Sequence, residues 1–154
     1  MVKKLNKEKM CQFRSLVSKG DRAKTRELTD TKRRFKILIV EDSAAFREML
    51  KEVLHDRFPS IDICEAIDGE EALKQFETLH PDLIFMDIRL PGENGLQVTL
   101  RIKSLYPKMT VVILTSYDCE EYREAAIRFG GDYYIPKDCL SSIQLEKVVK
   151  SFIE

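Results

Sequence analysis

Five residues with the chemistry of a metal and phosphate site stand directly after short apolar runs of the sequence, at positions Glu41, Asp42, Asp87, Thr115 and Lys137. Carboxylates that meet at one place repel one another and raise one another's pKa values unless a cation lies among them. A hard divalent ion removes that repulsion, and Mg²⁺ suits a site with one or two carboxylates, several waters and a phosphate oxygen. These residue types therefore indicate a magnesium site in which the Asp87 carboxylate can attack phosphorus as a nucleophile.

The lysine and the threonine extend this hypothesis. Lys137 supplies a fixed positive charge for one phosphoryl oxygen, and the Thr115 hydroxyl can donate a hydrogen bond to another. Each signal alone has an ordinary structural explanation, since an acidic pair favours the start of a helix through its dipole and a threonine often caps one. The hypothesis therefore depends on the fold bringing all five residues together.

The elements that must position these residues alternate between short apolar runs and helical patterns. Lys36–Val40 is too short for a helix and is typical of a strand buried on both faces. Further strands are predicted at 61–66, 83–86 with Asp87 at its end, 111–114 and 133–135. Helical patterns follow at 46–54, 72–79, 96–105, 120–129 and 143–152. The first helix has Ser43 as a candidate N-cap and an apolar face formed by Phe46, Met49, Leu50, Val53 and Leu54.

Five strands that are each followed by a helix indicate an α/β fold, a doubly wound parallel sheet with helices on both faces. Pro136 lacks the N–H that a ladder needs, which favours an edge position for the fifth strand and a strand order of 2-1-3-4-5. Ligands of such sheets bind beyond the carboxyl ends of the strands. All five candidate residues follow strand ends, so we expect them at this edge.

This arrangement resembles the response-regulator receiver family of two-component systems. The matching segments are 39–43, 82–92 with Asn94-Gly95, 113–116 and 134–138. The resemblance covers about residues 35–153, and it is specific because several separate signals agree in order and spacing. It implies a flavodoxin-like fold and a signalling switch without turnover of an outside substrate.

The resemblance also assigns roles to the acidic residues. It implies that Asp87 is the phospho-acceptor and that Glu41, Asp42 and Asp87 hold Mg²⁺ together with the backbone carbonyl of Arg89. The expected phosphoryl donor is a sensor histidine kinase or a histidine phosphotransfer protein. A cytoplasmic location is also expected, because the scattered cysteines indicate reduced thiols.

Three further residues receive roles from the same resemblance. Thr115 and Lys137 bind the phosphoryl group, and Tyr134 is the aromatic switch residue, which rotates inward as the threonine is drawn to the phosphate. The fourth helix, fifth strand and fifth helix present the signal to a downstream protein, and a homodimer would form through the same face. Direct binding of nucleic acid is not expected.

The sequence departs from the family at two places. The family usually has Lys-Pro with a cis peptide after the fifth strand, whereas Asp138 follows Lys137 here, and a cis bond before a non-proline residue costs about 3 kcal/mol. In having Lys-Asp at this position, the sequence resembles receivers that precede LuxR-type DNA-binding domains. Arg89 and Tyr117, two residues after Asp87 and Thr115, flank the route of hydrolytic water in the family. Both are bulky, so we predict slow self-dephosphorylation.

The chain divides into a basic extension, residues 1–34, and an acidic receiver domain, residues 35–154. Residues 1–35 carry 12 Lys and Arg against 4 Asp and Glu, and residues 36–154 carry 14 against 22. The extension is either a solvated tail or a helix that starts after Asn6 and ends before Gly20, docking on the domain or on a partner. Contact with nucleic acid is a third interpretation, since basic charge alone gives salt-sensitive binding.

Several functional alternatives stay open at this point. Because the chain ends after the fifth helix, a stand-alone receiver without an output domain is expected, and a fragment of a LuxR-type transcriptional regulator is the first alternative. An aspartyl-phosphate phosphatase is the second, although Asp87-Ile88-Arg89 lacks the Asp-x-Asp pattern usual for that class. No apolar run approaches the roughly 20 residues that span a bilayer. The four scattered cysteines are expected to be reduced thiols.

Overall fold

The computed structural model describes residues 33–154, in which five strands alternate with five helices. The strands are β1 (Lys36–Val40), β2 (Asp62–Ala66), β3 (Leu83–Asp87), β4 (Thr110–Thr115) and β5 (Tyr133–Pro136). The helices are α1 (Ala44–Arg57), α2 (Gly69–Leu79), α3 (Gly95–Leu105), α4 (Glu120–Arg128) and α5 (Ser142–Ile153), with a 3-10 turn at Lys137–Cys139.

All strand pairs are parallel and the strand order is β2-β1-β3-β4-β5, which confirms the predicted topology. The register places Asp87 opposite Leu114, and Thr115 opposite Pro136. The carboxyl ends of β3, β4 and β5 therefore lie side by side. Pro136 is on an edge strand, as its missing N–H requires.

Alternate residues of the strands pack into two hydrophobic clusters on opposite faces of the sheet. The first cluster joins the sheet to α2, α3 and α4 through residues such as Phe76, Ile102 and Ala126. The second cluster joins it to α1 and α5 and includes Phe85, which is fully buried. Truncation of a buried phenylalanine to alanine costs about 3–5 kcal/mol, so Phe85→Ala would remove much of the stability of an ordinary domain.

Side-chain caps explain where four of the helices begin. Ser43, Asp68, Asn94 and Ser141 each accept a hydrogen bond from a backbone N–H in the first turn of α1, α2, α3 and α5. The cap at Ser43 confirms the prediction. At the other end of α2, His80 adopts a left-handed conformation with φ of 47° before Pro81, which cannot continue a helix.

The sequence patterns were wrong in some details of burial and of element bounds. Met49, predicted on the apolar face of α1, is 39% exposed, because it lies about 100° around the helix from the fully buried Leu50, at the edge of that face. Leu105 at the end of α3 is also exposed, at 68%. Ile61 is buried but precedes β2, since its N–H bonds to Phe58 in the preceding turn.

The described unit begins with two arginines that contact the amino-terminal edge of the sheet. Arg33 pairs with Asp82 at 3.0 Å, and Arg34 pairs with Asp62 at 3.3 Å. The helix predicted between Asn6 and Gly20 lies outside the described residues. Within 33–154 no helix is long and apolar enough to cross a membrane, and Cys64, Cys119 and Cys139 are free thiols.

Candidate functional site

The predicted carboxylates meet at the carboxyl edge of the sheet. Glu41 and Asp42 follow β1, Asp87 ends β3, and ligand oxygens of the three lie within 4.8 Å of one another. They line an open cavity of about 280 Å³. Its other lining residues are Ser43, Arg89, Ser116, Tyr117 and Lys137.

Glu41 and Asp87 are buried acids, with 2% and 6% of their surface exposed. Burial raises the pKa of both carboxyls, because it disfavours the charged form. Lys137 opposes this rise at both residues, and backbone N–H donors oppose it too: Ser43 donates to Glu41 Oε1 at 3.0 Å, and Arg89 donates to Asp87. Asp42 is exposed and completes the acidic group.

The ammonium of Lys137 lies between the two buried acids. Its Nζ is 2.5 Å from Glu41 Oε2, 3.4 Å from Asp87 Oδ2 and 4.5 Å from the centre of the Phe46 ring. The residue begins the 3-10 turn after β5, and no peptide bond in the described chain is cis. The Lys137–Asp138 peptide is therefore trans, and the lysine reaches the acids without the cis geometry usual in the family.

The donor set fits a hard divalent cation. Three carboxylates converge in a cavity open to water, and a single lysine does not neutralise them. Oxygen ligands of this kind suit Mg²⁺, which retains water positions that a phosphate oxygen can take.

A second group of hydrogen bonds lies next to this cavity and links Thr115 to Tyr134. The Thr115 hydroxyl accepts from the Tyr117 N–H at 3.0 Å and donates to the Tyr117 carbonyl oxygen at 3.2 Å. The Tyr134 hydroxyl donates to the same carbonyl oxygen at 2.8 Å. Burial raises the pKa of Tyr134, so this hydroxyl stays protonated at neutral pH. Thr115 thus contacts the backbone of the β4–α4 loop rather than the acids.

Arg89 and Tyr117 both line the cavity. The Arg89 guanidinium lies 3.9 Å from the centre of the Tyr117 ring, which is cation–π contact. The two bulky residues singled out in the sequence are therefore in contact with each other.

Three residues near the site were not predicted from the sequence to belong to it. Phe46 was assigned to the apolar face of α1, yet its ring contacts the ammonium of Lys137. Arg47 donates to the backbone carbonyls of Glu41 and Asp42. Gly95 was noted only as part of a motif, although a Cβ there would overlap the carbonyl oxygen of Asp87. Of the three residues, only Gly95 carried a signal in the sequence, because it follows the N-cap residue Asn94.

Comparisons with known proteins agree with this geometry. The sequence profile of the response regulator receiver domain matches residues 37–150. The chemotaxis protein CheY of Halobacterium salinarum is 36% identical over 101 residues, which are 66% of this chain and 82% of that protein. The transcriptional regulatory protein DegU of Brevibacillus brevis is 30% identical over 115 residues, 75% of this chain and 49% of that protein. The chain thus spans about half of one relative and most of the other.

Solved structures show the same fold. The signal receiver domain of a DNA-binding response regulator from Colwellia psychrerythraea superposes with a TM-score of 0.73 at 28% identity, over 77% of this chain and 98% of that one. The match in sequence profile, the similarity to these relatives and the shared topology lead to one conclusion: the chain belongs to the family of response regulator receiver domains of two-component signalling.

Proposed function

We propose that this receiver domain is a phosphorylation switch whose acceptor is Asp87. The observation that carries the proposal is the position of Lys137, whose ammonium lies beside Asp87 and Glu41 in a cavity lined by three carboxylates. A carboxylate can act as the nucleophile toward phosphorus, and a fixed cation beside it stabilises the charge of the transferring phosphoryl group. The donor is a phosphohistidine of a sensor kinase or of a phosphotransfer protein.

In the proposed step an Asp87 carboxylate oxygen forms a bond to phosphorus while the bond from phosphorus to the donor's imidazole nitrogen breaks. The imidazole leaves with the electron pair of that bond. Lys137 moves toward a phosphoryl oxygen from its place between the acids. Glu41, Asp42, Asp87 and the Arg89 carbonyl would hold Mg²⁺, which would supply positive charge that lowers the repulsion between the acids and the phosphoryl group.

The hydrogen bonds around Tyr117 support a route from phosphorylation to a change in surface. Thr115 and Tyr134 donate to the same carbonyl oxygen of Tyr117. When the Thr115 hydroxyl turns to donate to the phosphoryl group, the β4–α4 loop loses the hydrogen bond from Thr115 to the Tyr117 carbonyl oxygen. Tyr134 then rotates inward, and the face of α4, β5 and α5 changes for a downstream protein or a second copy of the chain.

Acetyl phosphate with Mg²⁺, followed by intact mass spectrometry, tests the central claim. We expect the unaltered protein to gain one phosphoryl group, and Asp87→Asn to gain none. Asp56→Asn is the matched control, because Asp56 is an exposed aspartate at the end of α1, outside the cavity. Equal phosphorylation of the Asp87→Asn protein would show that the acceptor lies elsewhere.

The receiver portion of a DNA-binding transcriptional regulator is a second candidate. It is favoured by the similarity to DegU, of which the chain spans 49%, and by Asp138 after Lys137. An antibody against the domain distinguishes the two on a denaturing gel of the native source. A band near 17.9 kDa supports the stand-alone switch, and a band much larger supports the regulator.

We also propose that the domain acts in the cytoplasm and turns over no outside substrate. A protein-glutamate methylesterase of Pyrococcus abyssi is 34% identical, but this chain spans only 34% of it. The residue two places after the proposed acceptor is Arg89, stacked on Tyr117, where a phosphatase of the aspartyl-phosphate type has a second aspartate. Steady release of phosphate from a phosphomonoester would contradict this part of the proposal.

A further inference from the structure

We propose that Arg47, a residue of α1 outside the cavity, is a positioning residue that sets the affinity of the acidic group for Mg²⁺; this inference rests on the proposed function. Its Nη1 donates to the backbone carbonyl oxygen of Glu41 at 2.8 Å and to that of Asp42 at 3.2 Å. The guanidinium therefore engages the backbone of the two residues whose carboxylates line the cavity.

The same guanidinium is anchored to β2 on its other side. Nε of Arg47 donates to Glu65 Oε2 at 2.9 Å, and the second oxygen of Glu65 is 2.8 Å from Lys51 Nζ. The hydrogen bond from Lys51, together with that from Arg47, lowers the pKa of Glu65, so this carboxylate stays ionised at neutral pH. The side chain of Arg47 is only 15% exposed, which limits its freedom to leave the contact.

The Glu41 peptide is thus tied to β2 at both of its polar groups. Its N–H donates directly to the Ala66 carbonyl at 3.0 Å, and its carbonyl is tied through Arg47 to Glu65. Because the carbonyls of Glu41 and Asp42 are engaged on one side, rotation of the peptide between them is restricted. The backbone from which both carboxylates project is therefore restrained before any cation binds.

A planar guanidinium is needed for this role. It presents donors in a rigid fork that can engage Glu65 and two carbonyls together, whereas the compact ammonium of lysine engages fewer acceptors. Loss of an outer partner that orients metal-binding residues typically weakens metal affinity about 10- to 100-fold. We therefore expect Arg47→Met to raise the Kd for Mg²⁺ by about 10-fold.

Magnesium titrations followed by amide NMR shifts test the inference on the full chain. Arg57→Met is the matched control, because Arg57 lies on the same helix and pairs with Glu146, away from the acids. We expect that control to bind Mg²⁺ like the unaltered protein. In metal-free Arg47→Met we also expect faster exchange of the Ser43 N–H, which bonds to the Glu41 carboxylate.

The rate of phosphorylation by acetyl phosphate separates positioning from general damage. If Arg47 acts on affinity, the rate of Arg47→Met returns to that of the unaltered protein at saturating Mg²⁺. A rate that stays low at saturation overturns the inference, as does an equal loss of affinity in Arg57→Met. Should Arg47→Met fail to fold, Arg47→Lys takes its place, and an unchanged Kd in that variant also overturns it.

Failure of the inference and failure of the proposed function give different results. An unaltered protein that neither binds Mg²⁺ nor gains a phosphoryl group contradicts the proposed function. An unaltered protein that does both, while the Arg47 variants keep its Kd, contradicts only the role of Arg47.

Discussion

Replacement of Lys137 by methionine leaves two buried acids without their shared cation. The ammonium lies 2.5 Å from Glu41 and 3.4 Å from Asp87, and the side chains of all three residues are at most 12% exposed. Removal of one partner from a buried ion pair costs about 3–5 kcal/mol. At roughly 4 °C per kcal/mol for a domain of this size, we expect the Tm of Lys137→Met to fall by about 12 °C or more in the presence of a chelator at pH 7.

The loss of stability in Lys137→Met should be smaller at low pH than at neutral pH. Burial raises the pKa values of Glu41 and Asp87, and Lys137 opposes that rise, so both values rise further in Lys137→Met. As the pH falls through these raised values, the acids become neutral and the uncompensated charge disappears. We therefore expect urea unfolding at pH 4.5 to show a smaller difference between variant and unaltered protein than at pH 7.

A second substitution and added Mg²⁺ test whether the two acids cause the loss of stability. Glu41→Gln in the same chain should recover part of the lost stability, and so should Mg²⁺, which brings back positive charge. The control is Lys103→Met, since Lys103 is 14% exposed and pairs with Asp132 at 2.6 Å, outside the cavity. If the loss in Lys137→Met is the same at both pH values and is unaffected by Mg²⁺, the electrostatic reasoning is refuted.

Three further predictions concern single residues around the cavity. Asp87→Asn should be more stable than the unaltered protein at pH 7 in a chelator, because burial raises the pKa of Asp87 and so makes its charged form costly. In urea unfolding this gain in stability should vanish as the pH falls toward about 4, the ordinary pKa of an aspartate. Tyr117→Ala removes the ring under Arg89 and should shorten the phosphorylated lifetime measured with ³²P; a lifetime of seconds in the unaltered protein, unchanged by the substitution, contradicts the expected slow hydrolysis. Gly95→Ala should cost about 1–3 kcal/mol in urea unfolding, despite the helix preference of alanine, because its Cβ would overlap the Asp87 carbonyl; stability equal to the unaltered protein would show that α3 shifts freely.

The topology could be predicted because buried parallel strands leave a simple signature in the sequence. Runs such as Leu83–Asp87 are apolar at successive positions up to their final carboxylate, since both faces of the strand are covered, and turn residues mark where each run ends. Hydrophobic periodicity predicts the burial of individual side chains less well than it predicts the helices themselves. Met49 lies at the edge of the apolar face of α1, and Leu105 is the last residue of α3. Both match a helical pattern, yet both are exposed, because burial at such positions depends on what packs against the helix.

The acidic group and Lys137 could be predicted because the carboxyl ends of parallel strands lie at the same edge of the sheet, independently of the conformation of the loops. The contacts of Arg47 and Phe46 could not, because both residues lie within a helix whose rotation about its axis depends on packing against β2 and α5. The hydrogen bonds that Thr115 and Tyr134 make to Tyr117 depend on the path of the β4–α4 loop, which no local pattern describes.

The two hydrophobic clusters lie on opposite faces of one sheet, and this separation has a consequence for how the molecule tolerates change. Phe85 belongs to the layer of α1 and α5, whereas Ile102 belongs to the layer of α2, α3 and α4. The two clusters have no residue in common, so substitutions on opposite faces should combine additively. Substitutions can therefore accumulate in the layer beneath α4 while the packing beneath α1 and α5 is unchanged. The outer surfaces of these two layers can accordingly evolve toward different partners independently.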